Sequence, residues 1–358
     1  MEVLENLTGT HREIGCQRGE ALRALIWEHV ERMKYLGVQE NPYFKPEEMI
    51  ARFISETEHL QAAQKWAPHL LEEVRGISQG SNLPFNDIFA MCCLDELWRY
   101  SQALKGQLSL ECSSMGCFRE DGSPALLGQN LDTDSISKNL AVVLHIQGVD
   151  QPEAYIVCHA SNLGWMGLNR TPLGVCVNTL NLKSSRDGLP VQFIAREILR
   201  KQSLSEAVDF LTKIKQGAAQ NFMIGDATQV VDFERSANRC VQYIPYEGAR
   251  RVYHTNHPLV NDDLLPLYPV VYQNSIDRFK YLEYRLKDPS KLVTLENIKG
   301  ILRSHYGPIC SHNSRQPGMT STCVSVIYSL SVPPELYIAE GNPCQTDYQR
   351  FTFQDVQG

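Results

Sequence analysis

The stretch LECSSMGCFREDGSPALLGQNLDTD places a thiol and a carboxylate, Cys112 and Asp132, on either side of an Asp121-Gly122 dipeptide. Asp-Gly favours the tight turn of a β-hairpin because both positions tolerate positive φ. A two-residue loop pairs Glu120 with Ser123 and sets Cys112 opposite Leu131; a three-residue loop makes Asp132 its partner. Either register brings the carboxylate to the neighbourhood of the thiol. A negative neighbour raises a thiol pKa and does not activate the thiol, so something basic must intervene. Breaking the peptide bond between Glu111 and Cys112 supplies it. The freed α-amino group, with a pKa of about 8, suits a proton acceptor at neutral pH, and Asp132 can hold and orient it.

Other side chains compete for attention. The chain has 11 cysteines, an odd count that fits reduced thiols better than a disulfide framework. Cys117 is the rival nucleophile, but it lies an odd number of residues from Cys112, so on a regular strand it faces the opposite side and reads as core. Cys92-Cys93 sits inside an apolar helical pattern and also reads as core. His254 and His257, with Cys310 and His312 further on, form a conceivable zinc set. No CxxC partner accompanies them and Asn256 gives the HTNH element another use, so no metal is expected. Asp232 and Glu234 of VVDFERS share one strand face beside an expected sheet edge and are assigned no chemistry.

The elements that must position these residues fall into two regimes. From Arg12 to about Tyr100, apolar residues recur at three- and four-residue steps, as in ALRALIWEHVERM and MIARFISETEHL, which predicts helices punctuated at Gly76, Gly80 and Pro84. KGQLSL is a short polar connection. Beyond it, alternating and continuous apolar runs predict strands: CSSMGCF, ALLGQN, LAVVLHI, AYIVCHA, LGVCVNTL, NFMIGD, VVDFERS and TCVSVIY. Helices return at about 190–215, 274–286 and 295–303. Strand groups alternating with helix pairs, without regular βαβ units, predict a mixed α+β body.

Composition limits the functions available. At 358 residues, 43% hydrophobic and 21% charged, the chain can bury a full core. A net charge of −7 with no basic tract argues against nucleic acid as a partner. No apolar run approaches the ~20 residues of a membrane span and the N-terminus lacks a secretory pattern, so the expected compartment is the cytoplasm. There is no phosphate loop, GxGxxG, internal repeat or interdomain linker.

Taken in order, REIGCQRG, LEEVRGISQGSNLPFNDI, ECSSMGCF, LLGQNLD, LGVCVNTLN, NFMIGDATQVVDFERS, YHTNHPL and NSIDRFKYLE resemble the acyl-coenzyme A:6-aminopenicillanate acyltransferase family over almost the whole chain. These are autoproteolytic cysteine acylases, N-terminal-nucleophile enzymes related to bile-salt hydrolases and penicillin V acylases. The resemblance implies that Cys112 is the nucleophile heading the catalytic fragment, Asp132 the orienting carboxylate and Asn256 the oxyanion-hole asparagine. It also matches Asn178 to a second asparagine near the oxyanion and Arg278 to an arginine that supports the nucleophile electrostatically. Read without the family, those two are a strand-end turn residue and a surface helix arginine.

By the same resemblance the fold is a four-layer αββα sandwich, with residues 1–111 a mainly helical segment that stays associated after autoproteolysis and residues 112–358 the catalytic segment. The reaction is hydrolysis of an N-acyl or peptide-like small molecule through an acyl-enzyme. Acyl transfer from a coenzyme A thioester to an amine is the alternative, and no cofactor is required. Family precursors commonly carry glycine before the nucleophile, and this chain has Glu111. A glycine eases the strained backbone that an N-to-S acyl shift exploits, although the shift itself needs only the thiol and a distorted carbonyl. An uncleaved chain that kept the fold would be a non-catalytic binding protein, and Glu111 is the residue favouring that reading.

Overall fold

The computed structural model describes residues 1–40, 45–102, 111–118, 121–265, 273–312 and 320–353. The KGQLSL connection lies outside them. Strand β1 (Glu2–Gly9) leads into seven helices: α1 (His11–Ala21), α2 (Arg23–Glu40), α3 (Pro46–Glu56), α4 (His59–Trp66), α5 (Pro68–Ser81), α6 (Phe85–Met91) and α7 (Leu94–Gln102). Six strands follow: β2 (Glu111–Cys117), β3 (Leu126–Asp134), β4 (Ala141–Gly148), β5 (Ala154–His159), β6 (Met166–Asn169) and β7 (Gly174–Thr179). Helices α8 (Val191–Leu199) and α9 (Leu204–Lys213) precede β8 (Gln220–Gly225), β9 (Val230–Arg235), β10 (Cys240–Gln242) and β11 (Arg251–His254). The chain ends through α10 (Gln273–Leu286), α11 (Leu295–Leu302), β12 (Thr320–Ser329), β13 (Glu335–Glu340) and β14 (Gln349–Thr352).

The strands form two sheets, an eight-stranded one in the order β1-β4-β5-β6-β7-β8-β9-β10 and a six-stranded one in the order β11-β2-β3-β12-β13-β14. Three apolar cores fix the layering. Along β4, Val143 packs into a core shared by both sheets, with Leu127, Cys176, Met223 and Val326, while Val142, Leu144 and Ile146 meet the helices α1 to α9. The six-stranded sheet buries its outer face, including Met115, Cys117 and Ile327, under α10 and α11. The result is an α+β, four-layer αββα sandwich, as the resemblance implied. Because its inner strands are covered on both faces, they read as continuous apolar runs and not as strict alternation.

Two details depart from the sequence reading. The first strand carries no readable pattern because only Leu7 within it is buried, and it pairs parallel to β4, so the eight-stranded sheet is not wholly antiparallel. Gly76 and Gly80 do not punctuate a helix; both lie inside α5. They face Gly15 and Gly19 of α1, and the two backbones nearly touch: a Cβ on Gly76 would sit 2.2 Å from the Arg12 carbonyl oxygen, and one on Gly15 2.1 Å from that of Glu73. Glycine is required there for approach.

Beside this contact a buried polar knot joins three elements. Arg196 of α8 donates two bonds of 2.7 Å to the Glu73 carboxylate of α5. Burial alone would raise the Glu73 pKa, but the Arg196 charge outweighs it and holds the carboxyl well below its usual range. Arg18 of α1, fully buried beside them, donates to the Ala160 carbonyl at the end of β5 at 2.9 Å. The N-terminal helices are thereby keyed to the large sheet.

Gly76→Ala should destabilise the protein by about 1–3 kcal/mol, because neither facing backbone can give way. Gly37→Ala, in α2 with nothing within 4 Å of the added methyl, should be neutral or stabilising by up to about 1 kcal/mol. Urea-unfolding midpoints of the two variants check the pair; equal shifts would remove the close-approach explanation.

Candidate active site

The β2–β3 ladder adopts the first of the two registers, with Cys112 opposite Leu131 and Glu111 opposite Asp132. Pairing ends at Cys117–Leu126, so the connection is wider than a two-residue turn although it keeps that turn's register. Directly opposed residues point to the same face of a sheet. Cys112 and Leu131 therefore share one face, and Asp132 shares the other with Glu111. Cys117 turns away from Cys112 into the core beneath α10 and α11.

Cys112 is 3% exposed. Its backbone N–H donates to Asn256 Oδ1 at 2.7 Å. Burial first, and the Asp132 charge second, raise the thiol pKa far above its ordinary value, with Arg278 pulling weakly the other way. The thiol of the uncut chain is therefore protonated. Asp132 is itself fully buried, and that burial pushes its carboxyl up to about 7, against the opposing pull of Arg278 and of the Thr322 hydroxyl. Thr322 Oγ1 donates to Asp132 Oδ1 at 2.6 Å, while Oδ2 has no hydrogen-bond partner among the described residues.

Arg278 is not on the surface. It is 1% exposed, and its guanidinium donates to the Cys112 carbonyl, to Ser113 Oγ at 3.0 Å and to Asn256 Oδ1 at 2.9 Å. Two N–H donors converging on one atom identify that atom as the Asn256 oxygen. The Asn256 Nδ2 then donates one hydrogen to the Thr179 carbonyl at 3.1 Å. Its backbone N–H is held by Ser275 Oγ at 2.8 Å. Asn178 is fully buried within β7, with Oδ1 accepting from Ser114 Oγ at 2.6 Å and Nδ2 unpartnered among the described residues. Hydrogen bonds thus join Cys112, Asn256 and Arg278 into one group, Asp132 lies beside it across the ladder from Glu111, and Asn178 is reached through Ser114, two residues from Cys112.

Asp232 and Glu234 lie on β9 beside the short edge strand β10, both fully buried. Glu234 bonds His254 of the other sheet at 2.9 Å, and although burial would lower the His254 pKa, this contact raises it. Burial pushes the Asp232 carboxyl up to about 7. The pair His254–Glu234 ties the strand before Asn256 to the opposite sheet. The conceivable zinc set of His254, His257, Cys310 and His312 does not assemble: His257 bonds Ser275 Oγ at 2.8 Å, and Cys310 and His312 gather with His305 and Cys344 instead. Sequence reasoning missed Ser114, Thr179, Ser275 and Thr322 because hydroxyls and carbonyls that position other groups leave no spacing pattern.

No helix among the described residues is long and apolar enough to cross a membrane. Among solved structures, the chain is similar to a mutant of a conjugated bile acid hydrolase from Clostridium perfringens, at 13% identity and a TM-score of 0.46, covering 68% of this chain and 96% of that one. It is also similar to a penicillin V acylase from Agrobacterium tumefaciens, at 12% identity and a TM-score of 0.45, covering 69% and 87%. The family described as acyl-coenzyme A:6-aminopenicillanic acid acyl-transferase matches residues 117–345, a stretch that begins just past Cys112 and holds Asp132, Asn178, Asn256 and Arg278. With well over half its length matched, the chain belongs to the acyl-coenzyme A:6-aminopenicillanic acid acyl-transferase family.

Proposed function

We propose that the protein is a self-processing cysteine acylase that cuts its own chain between Glu111 and Cys112 and then works through an acyl-enzyme on Cys112. One observation carries the reading. The Cys112 nitrogen, which becomes the free amine on cleavage, already rests on Asn256 Oδ1 at 2.7 Å, and Asp132, whose Oδ2 has no partner among the described residues, stands across the ladder from Glu111.

In processing, Cys112 Sγ attacks the Glu111 carbonyl carbon, the C–N bond breaks, and the acyl group passes to sulfur. The thiol proton ends on the departing nitrogen. Water then hydrolyses the thioester, leaving a Glu111 carboxylate and an N-terminal Cys112. The new α-amine takes the thiol proton during catalysis, with Asp132 Oδ2 and Asn256 Oδ1 as its acceptors. Attack on a substrate carbonyl develops negative charge on oxygen. The second Asn256 Nδ2 hydrogen, with the Asn178 amide, is the donor set for it, and one such donor is typically worth ~3 kcal/mol of barrier.

The protonated amine releases its proton to the leaving amine, and an acyl-enzyme remains. Water resolves it in hydrolysis of an N-acyl or peptide-like small molecule. A second amine resolves it in acyl transfer, the reading favoured by the family's description, with a coenzyme A thioester as acyl donor. No step requires a metal or organic cofactor. Residues 1–111 stay with 112–358 after the cut, because their helices share one core with the eight-stranded sheet and Glu73 remains bonded to Arg196. The cytoplasm is the proposed compartment.

Mass spectrometry of purified protein should find two fragments whose masses sum to the 40.5 kDa chain plus one water, the larger beginning at Cys112. Cys112→Ala should stay whole and inactive, while Cys117→Ala is processed. A wild-type chain that remains uncut and inert to thiol reagents at Cys112 refutes the proposal and leaves a binding protein.

Processing should also depend on pH in a particular way. The transition state for the shift has lost one proton from the Cys112–Asp132 pair, wherever the remaining one sits. The first proton leaves Asp132 at about 7, so the cleavage rate should climb as pH rises towards 7 and level off above it. Asp132→Asn should cut slowly and show no levelling near 7. A wild-type rate that still climbs tenfold per pH unit above 8 would exclude Asp132 from the step.

A further inference from the structure

Beside β12, to which His312 bridges through Ser321, the loop after α11 meets the turn after β13. His305, Cys310 and His312 come from the first and Cys344 from the second. Their ligand atoms all lie within 4.8 Å of one another, the one such group of three or more His, Cys, Asp or Glu among the described residues. We propose that these four residues form a structural zinc site of the Cys2His2 class.

The four ligand atoms are close enough to close around one ion. His305 Nε2 lies 3.2 Å from His312 Nε2, His312 Nε2 lies 3.1 Å from Cys344 Sγ and 3.5 Å from Cys310 Sγ, and the two sulfurs are 3.5 Å apart. A tetrahedron with Zn–S of about 2.3 Å and Zn–N of about 2.0–2.1 Å has edges of about 3.4–3.8 Å. A disulfide needs its sulfurs at about 2.05 Å, which these are not. His312 Nε2 stands at the centre of the group, within 3.5 Å of the His305 nitrogen and of both sulfurs, so all four potential ligand atoms face one small volume. A cation satisfies all four at once.

Two thiolates with two imidazoles select zinc over magnesium or calcium, and a set of four protein ligands leaves no open coordination position, as a structural site requires. Binding balances as Zn²⁺ displacing the two thiol protons to solvent, with both imidazoles neutral. Outer support is in place: Asn342 Nδ2 reaches Cys310 Sγ at 3.6 Å and also donates to the Ser311 carbonyl.

The site's position gives it a purpose. Ser311, between the ligands Cys310 and His312, donates its N–H to Thr322 Oγ1 at 3.0 Å, and Thr322 Oγ1 donates to Asp132. Asn130, two residues from Asp132, holds the same loop through the Ile309 carbonyl at 2.9 Å. Zinc would pin this loop to the β13 turn and so fix the hydroxyl that supports Asp132. The proposal does not depend on self-cleavage and stands or falls separately from it.

The test uses the full chain, reduced, incubated with zinc chloride and dialysed against metal-free buffer. Elemental analysis should find one zinc per chain, falling to near zero in Cys344→Ser and in the exposed-ligand variant His305→Ala, each checked for folding by circular dichroism. Cobalt substitution of the wild type should give tetrahedral d–d bands with thiolate charge-transfer absorption, both absent from the variants. A chelator should lower the melting temperature of the wild type and leave Cys344→Ser unmoved. Failure of the folded wild type to retain zinc overturns the proposal. So does a Cys310–Cys344 disulfide found by peptide mapping of freshly purified protein.

Discussion

A guanidinium taken fully out of water must find acceptors where it sits, and the position of Arg278 sets the geometry of the whole site. Removing a charge from water costs several kcal/mol unless hydrogen bonds replace the lost solvation. Arg278 finds them in the Cys112 carbonyl, Ser113 Oγ and Asn256 Oδ1, with Asn274 Oδ1 on its own helix at 2.6 Å. These bonds connect α10 to β2 and to Asn256, two residues past the end of β11. They fix the Asn256 amide with its oxygen towards the Cys112 nitrogen, which leaves the amide hydrogens for Thr179 and the space beyond. An arginine on a helix looks like surface from its sequence. What makes it the keystone is that β2 ends in polar backbone where the sheet can no longer pair it.

A second constraint comes from outside the site. The α1–α5 contact, glycine against glycine, draws the helical layer onto the large sheet, and the Glu73–Arg196 pair locks it there. REIGCQRG and LEEVRGISQG are therefore one structural statement in two places: Gly15 and Gly19 need Gly76 and Gly80, while Arg18 of the same helix finds its acceptors at the end of β5. The segment before Cys112 is built into the body of the molecule through Glu73–Arg196, Arg18–Ala160 and the β1–β4 pairing, so a break at Glu111 would open a backbone without opening a core.

Much of the fold was legible in the sequence because period and length separate helices from strands wherever burial is one-sided or complete. The failures have particular causes. β1 is an edge strand with a single buried residue, so it carries almost no pattern. Gly76 and Gly80 looked like breakers because glycine is a poor helix former, and only the facing helix reveals why they are there. The family resemblance named Cys112, Asp132, Asn256 and Arg278 together, and the hairpin alone brought Asp132 to the neighbourhood of Cys112. Asp132's partner Thr322 could not, since a β-bulge between Thr322 and Val324 decides which way that hydroxyl points. Spacing joins Cys310 and His312 to the wrong companions, because Cys344 arrives from a different turn and no periodicity links it to them.

The electrostatics of the uncut chain bear on why a buried thiol and a buried acid tolerate each other. Burial disfavours the charged form of both, raising the thiol far above its usual pKa and the acid up to about 7, and each charge would further penalise the other. A cut before Cys112 would place an ammonium beside both, and one positive charge at that distance favours carboxylate and thiolate alike. The same burial that raises both pKa values would then strengthen the pair's attraction to the new amine, since the low-dielectric interior weakens neither interaction. In the proposed scheme one environment serves both stages: the uncut pair gives up the proton that must leave before Cys112 attacks Glu111, and after a cut the charge on the Cys112 nitrogen would support thiolate and carboxylate towards substrate.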